Sequence, residues 1–579
     1  MANAYRTDID GLRAIAVFAV IFFHLGHLPA GYLGVDVFFV ISGFLITGII
    51  HPKIVENRFS LVEFYLRRIR RILPLSAFIC LTALSIGVGT MLPDDLENLA
   101  QSVVATNAFS NNILEYLKRL DYWGVVNEYK PLMHTWSLGV EEQFYFVYPF
   151  LLLLLRNRFW SVTIPALCAL SLISLGLFLT PGIEAMTKFY LPVFRFWELA
   201  LGGIAAIRLG GKTLSSRGAA LPILGLLALL IVGGSLPNVI TLPSAVGLTV
   251  WLLTINNSSA LIPRSILCNP VSVFLGKISY SLYMWHQLVF AFARYFWKQE
   301  LGPMDEGVLI GLITILSTVT YFVIERPFRN PKQVRTPWLL AVLAIAFAAS
   351  TLWSVHIIRL AGVLKDIPEL DAYRSKAVYG QHSQYNGRIY FHDKPFASTD
   401  KLRVLVTGDS FGRDFSNVLL ESRYAGNIEI SYICWIDKHP DTRTRFAAAD
   451  IVFSSRTGIE EIKRLNLPLE KVWAVGSKSF GTNTGFFYNR KGPDYYSQRT
   501  KPQHEAIAVN ERLKAEWQGR FIDLIGPVIA PDGTVPVFTP DRRFISQDTH
   551  HFTRAGARYY ASLLDSALAP LIGAKPPQR

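Results

Sequence analysis

The sequence predicts a multi-pass α-helical membrane bundle of about eleven spans, followed by an α/β three-layer domain built on a parallel sheet. Three observations carry this expectation. Of the 579 residues, 51% are hydrophobic and only 17% charged, whereas soluble domains carry about one quarter charged. The apolar runs crowd the stretch up to Ile358, and an ordinary soluble composition takes over after Arg359. From Leu402, short β-branched runs alternate with helical patterns, the signature of parallel strands joined by helices.

Each span needs about 20 mostly apolar residues, because a helix rises 1.5 Å per residue and the hydrocarbon layer is about 30 Å thick. Runs that meet this requirement lie at 12–28, 33–50, 72–92, 138–155, 161–180, 189–208, 218–234, 239–256, 274–297, 307–325 and 337–358. The first, second and eighth are short. Residues 1–335 therefore read as a ten-span membrane domain and 336–358 as an eleventh helix. Residues 359–400 read as an extension and 401–579 as the soluble domain.

Loop charge orients the spans, since Lys and Arg are retained on the cytoplasmic side. With the N-terminus inside, that side collects Arg6, Arg13, Lys53, Arg58, Arg67, Arg68, Arg70, Arg71, Arg156, Arg158, Arg208, Lys212, Arg217, Arg264, Lys277, Arg326, Arg329, Lys332 and Arg335, nineteen in all. The opposite connections hold five: Lys118, Arg119, Lys130, Lys188 and Lys298. An odd number of spans then makes the C-terminal domain extracytoplasmic. The net charge of +14 needs no nucleic acid to explain it. Of the four cysteines only Cys434 falls in the soluble domain, so an internal disulfide is excluded there and no spacing suggests a metal. Arg6 and Arg13 precede the first apolar run, but no small-residue cleavage site follows it.

Ionisable groups at membrane depth are expensive and usually functional. Arg13 and His24 are eleven residues apart, which returns them to nearly the same helix face about 16 Å apart. A permanent cation at the cytoplasmic mouth suits a phosphate-bearing ligand, and an imidazole beyond it suits proton transfer. The ordinary alternative is a topology arginine and an interfacial histidine. Arg67, Arg68, Arg70 and Arg71 exceed what orientation requires and could meet anionic lipid or the phosphates of a nucleotide-like cofactor. His134, Glu141, Glu142, Arg195 with Glu198, Ser279-Tyr280-Ser281, His286 and Glu325 add polar groups that interhelical hydrogen bonding could also explain.

Several of these residues fall into ordered motifs: Arg13-x10-His24, Gly34-Val35-Asp36-x-Phe38-Phe39-x-x-Ser42-Gly43-Phe44, Arg67-Arg68-x-x-Arg71-x-x-Pro74, Trp136-Ser137-Leu138-x-x-Glu141 and Ser279-Tyr280-Ser281-x-Tyr283. Over residues 5–330 the chain resembles the acyltransferase family 3 membrane domain. The resemblance implies an acyl-CoA donor, most often acetyl-CoA, taken from the cytoplasm and not held as a permanent cofactor. It implies Arg13 and His24 as essential residues and Arg67, Arg68 and Arg71 as donor-binding. Asp36, Glu141, Arg195 and Tyr280 are further membrane-domain candidates.

In the soluble domain, Leu402–Val406 reads as a strand that ends in Thr407-Gly408-Asp409-Ser410, with a helix expected from Asp414 to Ser422. A serine in a glycine-containing strand-to-helix turn is presented at the positive end of a helix. Further strands are expected at Ile428–Ile433, Ile451–Ser454 and Val472–Val475. Near the end, Asp548 precedes His551 by three residues, a spacing that lets the carboxylate fix the imidazole tautomer. The order of Ser, then Asp and His before the last helix, resembles the SGNH hydrolases. Ser410 is then the expected nucleophile, His551 the base and Asp548 its orienter, with His550 the rival base. The Gly and Asn that usually complete the oxyanion hole are missing from Ile433–Ile436 and from Val452–Arg456. Gly476, Ser477 and Asn483 are candidates to replace them.

Together these readings imply a membrane O-acyltransferase, in particular an O-acetyltransferase. It would move an acyl group from cytoplasmic acyl-CoA to hydroxyls of an envelope polysaccharide or lipid-linked glycan, such as lipopolysaccharide O-antigen. The expected place is the bacterial inner membrane, with the N-terminus cytoplasmic, the C-terminal domain periplasmic and the lipid bilayer as partner. The alternatives are a periplasmic carbohydrate esterase fused to an independent membrane acyltransferase, and a glycan exporter whose soluble domain only binds sugar.

Overall fold

The computed structural model describes residues 5–118, 127–155, 160–209, 220–255, 259–297, 301–370, 381–455, 457–481 and 484–573. The chain divides into two compact units. The first comprises 1–86, 99–293 and 300–355, and the second comprises 87–98, 294–299 and 356–579. The second unit thus includes two short segments from within the membrane-domain sequence, which a boundary at 359 does not anticipate.

The first unit is all helix. Its elements are α1 (Thr7–His24), α2 (Leu33–Val55), α3 (Leu61–Thr90), α4 (Pro93–Asn107), α5 (Asn111–Lys118), α6 (Thr135–Leu154), α7 (Trp160–Leu179), α8 (Ala185–Tyr190) and α9 (Phe196–Leu209). They continue with α10 (Ala220–Val232), α11 (Asn238–Thr254), α12 (Leu261–Leu267), α13 (Pro270–Lys277), α14 (Ser279–Phe296), α15 (Pro303–Thr320), α16 (Arg326–Arg329) and α17 (Thr336–Arg359). Each of the eleven expected runs contains a helix. The sixth, 189–208, is broken after Tyr190 and resumes at Phe196, and the ninth is broken between Lys277 and Ser279. Four helical stretches are long and apolar enough to cross a membrane by length and composition: Leu33–Val55, Leu61–Thr90, Pro303–Arg329 and Thr336–Arg359. This is a membrane protein.

Lipid-embedded helices gain little from burying apolar side chains against each other, so they associate by close approach at small residues. Here α2 and α9 touch backbone to backbone. A Cβ on Gly43 would lie 1.8 Å from the Leu199 carbonyl oxygen, and one on Gly202 would lie 2.1 Å from that of Val40. The same device joins α1 to α13, where a Cβ on Gly276 would lie 1.8 Å from the Asp10 oxygen.

In the second unit, β1 (Leu402–Thr407), β2 (Ile428–Ile433), β3 (Ile451–Ser455), β4 (Val472–Val475) and β6 (Phe521–Ile522) form a parallel sheet in the order β2-β1-β3-β4-β6. A separate short antiparallel pair joins β5 (Arg499–Thr500) to β7 (Val535–Pro536). Alternate strand residues enter opposite layers. Val404 and Val406 join Phe415, Val418 and Tyr560 on one face, while Leu405 joins Phe446, Leu513 and Trp517 on the other. These layers are built from α19 (Ser410–Glu421), α20 (Thr442–Ala448), α21 (Ile459–Arg464), α23 (His504–Trp517), α24 (Arg554–Leu563) and α25 (Asp565–Ile572); α18 (Gln381–Gly387) and α22 (Thr484–Tyr488) complete the set. The chain leaves β1 for β2 on one side and returns on the other side as β3. In such sheets ligands bind at the carboxyl ends of the strands at this switch point.

Where it is described, the extension packs within the second unit. Ile389 enters the core beside β2, and Asn386 donates to the Phe552 carbonyl at 3.3 Å and accepts from Asn417 at 2.8 Å.

Because the Gly43 and Gly202 contacts meet backbone oxygens that cannot swing aside, overpacking should cost about 1–3 kcal/mol at each. Gly43→Val or Gly202→Val is expected to lower the unfolding temperature of the detergent-solubilised chain by several degrees. Gly247→Ala, where an added Cβ meets nothing within 4 Å, should leave it unchanged.

Candidate functional site

In the second unit β1 ends at Thr407 and α19 begins three residues later at Ser410. Gly408 makes the turn at φ +119°, where a Cβ would lie 2.1 Å from Ser455 Oγ. Asp409 caps α19 by accepting the Phe411 N–H at 3.0 Å. The helix starts four residues earlier than the sequence suggests, because this cap replaces the bonds that its first amides lack.

His551 Nε2 lies 3.0 Å from Ser410 Oγ, and His551 Nδ1 lies 2.6 Å from Asp548 Oδ2. The other oxygen, Asp548 Oδ1, accepts the backbone N–H groups of both His550 and His551 at 2.7 Å. One carboxylate thus shapes the turn and holds the ring. With Nδ1–H donated to Asp548, Nε2 is free to take the serine proton, which is what a nucleophile–base–orienter set requires. His550 faces elsewhere, toward Thr549 Oγ1 at 2.7 Å and Gln503 Oε1 at 3.0 Å. The three expected residues meet, and the rival does not.

A buried ion pair that no motif announces braces this arrangement. Asp414, one turn beyond Ser410, accepts the Phe552 N–H at 3.0 Å and pairs with Lys478 Nζ at 2.9 Å. The ammonium sits 4.0 Å from the Phe411 ring centre and 5.1 Å from that of Phe552, the residues that follow the serine and the histidine. Burial alone would raise the Asp414 carboxyl, but Lys478 and Arg413 outweigh it and hold it below the ordinary range. Lys478 was missed because a lone lysine after a strand carries no motif.

Of the expected oxyanion donors, Gly476 is already committed: its N–H donates to the Ile522 carbonyl at 2.9 Å. Asn483 and Arg456 lie outside the described residues, and Ser477 is buried at the end of β4. Ser455, at the end of β3, is a better placed hydroxyl. It is buried against Gly408 and Gly412, on either side of the nucleophile, and has no hydrogen-bond partner among the described residues.

Asp94, in the short segment 87–98 of this unit, also reaches the triad's surroundings. Burial pushes its carboxyl up to about 8, and the nearby charges of Asp95, Glu97 and Asp548 add to this, against a hydrogen bond from Gln547.

Two cavities of the first unit adjoin one another. The larger, about 1040 Å³, is lined by Arg6, Arg13, Arg71, Lys277, Arg326 and Arg329 among others. The smaller, about 250 Å³, is lined by Arg13, Arg68, Arg71, Glu141, Tyr280 and Tyr283 together with apolar residues. The two share Arg13, Leu45, Ile49 and Arg71. In the smaller cavity, Glu141 accepts hydrogen bonds from Ser42, at 2.5 Å, and from Tyr145. Tyr280 donates to the Ile72 carbonyl at 3.0 Å.

Not every candidate of the membrane domain lines these cavities. Arg67 lines neither cavity; it is exposed and pairs with Glu63 one turn away. Asp36 and Arg195 are not at the cavities either. Arg195 Nη2 lies 2.9 Å from Asp36 Oδ1 and its Nε 3.2 Å from Glu198 Oε1, a buried network that joins α2 to α9. Nor does His24 line either cavity; its ring lies 5.2 Å from that of His286. Conversely, Lys277, Arg326 and Arg329 read as orientation signals in the sequence yet converge on the larger cavity. A π-helical turn at Tyr321–Glu325, just before Arg326, redirects the chain there.

The model of the acyltransferase domain matches residues 6–326, more than half of the chain. The chain belongs to the acyltransferase family 3. It is similar to a candidate O-acetyltransferase of Staphylococcus aureus strain MSSA476, 31% identical over 371 residues that cover 56% of this chain and 58% of the relative. It is also similar to the O-acetyltransferase OatA of S. aureus strain NCTC 8325 / PS 47, 31% identical over 353 residues covering 56% and 57%. The chain thus spans little more than half the length of these curated relatives. No solved structure matches it. Beyond the family's helical domain, the parallel-sheet unit is consistent with an SGNH-like fold.

Two outcomes are expected of the full chain. Ser410→Ala or His551→Ala should abolish hydrolysis of an activated acetyl ester, and Asp548→Asn should slow it about 10⁴-fold by releasing the wrong tautomer. Asp94 supplies a pH signature. An unfolded aspartate titrates near 3.8 and the folded one at about 8, so between these values the folded state holds an extra proton. Stability therefore falls as pH rises through that window. Asp94→Asn is expected to raise the unfolding temperature at pH 8 and leave it nearly unchanged at pH 4.

Proposed function

We propose that this acyltransferase family member is a membrane O-acetyltransferase that transfers an acetyl group from a coenzyme A thioester to hydroxyls of a cell-envelope carbohydrate. The observation that carries the reading is the pair of adjoining cavities that share Arg13 and Arg71. The larger is wide and lined by guanidiniums, which suits a nucleotide with several phosphates. The smaller is narrow, and its apolar and tyrosine lining suits the uncharged arm that ends in the thioester. Arg13, Arg68 and Arg71 hold the donor, aided by Lys277, Arg326 and Arg329, and His24 is the reactive imidazole of the membrane domain.

Ser410 then accepts the acyl group as an ester and His551 returns the proton to the leaving oxygen when a sugar hydroxyl takes it over. Loop charge supports a cytoplasmic donor and an extracytoplasmic acceptor, in a bacterial plasma membrane. The names of the staphylococcal relatives support acetyl as the acyl group, and a lipopolysaccharide O-antigen is one acceptor among envelope glycans.

A completed Ser410–His551–Asp548 set also favours a second reading, in which the C-terminal unit is an esterase that removes acetyl groups. Because that unit includes 87–98 and 294–299, the test uses the full chain. Reconstituted in liposomes with ¹³C-acetyl-CoA on one side and envelope polysaccharide on the other, it is expected to yield labelled O-acetyl polysaccharide by NMR. Ser410→Ala should abolish that product. Loss of pre-existing acetyl groups without incorporation of label would favour the esterase and sink the transferase.

A further inference from the structure

Three imidazoles and a phenol meet inside the helical unit. The His286 ring on α14 lies 5.2 Å from that of His24, at the end of α1, and 5.1 Å from that of His134, which precedes α6. The Tyr283 ring lies 5.3 Å from both His134 and His286. Tyr283 also lines the smaller cavity, so the cluster abuts the narrow end of the proposed donor site. His286 and His134 are buried, and His24 is half-buried.

The protonation of His286 is fixed by its surroundings. Its Nδ1 lies 2.6 Å from the Tyr283 backbone carbonyl, which can only accept a hydrogen bond. Nδ1 therefore carries the proton and Nε2 keeps a lone pair. That nitrogen is buried and has no hydrogen-bond partner among the described residues. A buried acceptor left without a hydrogen bond is costly, and simple packing does not explain it. Proton transfer is a use that fits a bare imidazole beside another.

We propose that His286 is the proton acceptor for His24, so that two imidazoles act in series during acyl transfer. As an acceptor O–H adds to the thioester carbon, its proton passes to one nitrogen of His24. The proton on the other nitrogen of His24 passes to His286 Nε2 as the two rings, 5.2 Å apart between centres, close to hydrogen-bond distance. The new C–O bond forms, the C–S bond breaks, and the departing thiolate recovers the proton as the pair resets. His286 touches no substrate; it acts through His24 and is a positioning residue. The Tyr283 carbonyl does for it what Asp548 does for His551. The inference rests on the reading of His24 as the reactive imidazole.

The test uses the full chain in detergent with acetyl-CoA as donor. His286→Asn keeps a donor for the Tyr283 carbonyl and removes the base. It is expected to lower kcat about 100-fold, within the usual range for a proton-transfer group, while KM for acetyl-CoA stays within about threefold. His286→Gly should regain at least tenfold of its lost rate when imidazole is added. On the unmutated chain, the rate measured across mixtures of light and heavy water should bow downward, as two protons in flight require. Full kcat in His286→Asn, or a His286→Gly chain that binds donor without rescue, would overturn the inference, and so would a straight line in the water mixtures. Loss of the underlying reading looks different: His24→Ala would then turn over at the parent rate.

Discussion

The candidate active site depends on one residue having no side chain. β1 is paired with β2 and β3 through Thr407, and the serine must emerge three residues later at the head of a helix. Gly408 completes the turn because its N–H still donates to the Ile433 carbonyl at 3.1 Å while Ser455 occupies the space that a side chain would need. A side chain there would displace β3 or tilt α19, and Ser410 would leave His551. The opposite half of the site is made the same way, by Asp548 gathering two backbone amides. Each half is locally determined. What keeps them 3.0 Å apart is long-range: Asp414 on the serine's helix grips the backbone beside the histidine, with Lys478 neutralising it. A buried ion pair is seldom a large net source of stability, so its value here lies in register.

In the membrane unit the constraint is the price of burying charge. The four arginines at 67, 68, 70 and 71 crowd one helical turn, but about 100° of rotation per residue sends them to different surroundings. Arg67 turns outward to Glu63 and Arg68 reaches the tyrosine-lined cavity. Arg70 is buried and donates to the carbonyls of Phe328 and Val334 and to Thr336, tying α3 to the start of α17. Arg71 alone serves both cavities. A basic cluster that looks like one binding element in the sequence is one lipid-facing or solvent-facing cation, one structural brace and two cavity residues.

This division explains what was legible beforehand. Each of the eleven hydrophobic runs marked a helix, whereas the more polar α4 and α5 and the short α12 fell outside them, and short β-branched runs marked four of the five parallel strands, because burial writes such runs directly into the chain. The fifth, Phe521–Ile522, is two residues long and leaves no run to see. Ser410, Asp548 and His551 were legible because their local turns need recognisable residues. Lys478, Ser455 and Arg329 were not, since each acts across a gap of dozens of residues or more and obeys no local rule. The break of the sixth run into α8 and α9 was hidden for a related reason. Its apolar composition continues, while the buried charges of Arg195 and Glu198 set the geometry.

The make-up of the second unit bears on how such a protein can evolve. A catalytic domain appended to a membrane domain by one fusion event should remain exchangeable at that single joint. Here Asn489 donates to the carbonyls of Thr90 and Tyr295, and Tyr295 donates to Asp95 at 2.7 Å, so residues of the segments 87–98 and 294–299, at the ends of helices, are folding partners of the appended chain. The unit of recombination is no longer the unit of folding. A foreign C-terminal domain grafted at residue 359 would inherit two loops shaped for another protein, and lineages that swap acceptor specificity would be expected to change all three segments together.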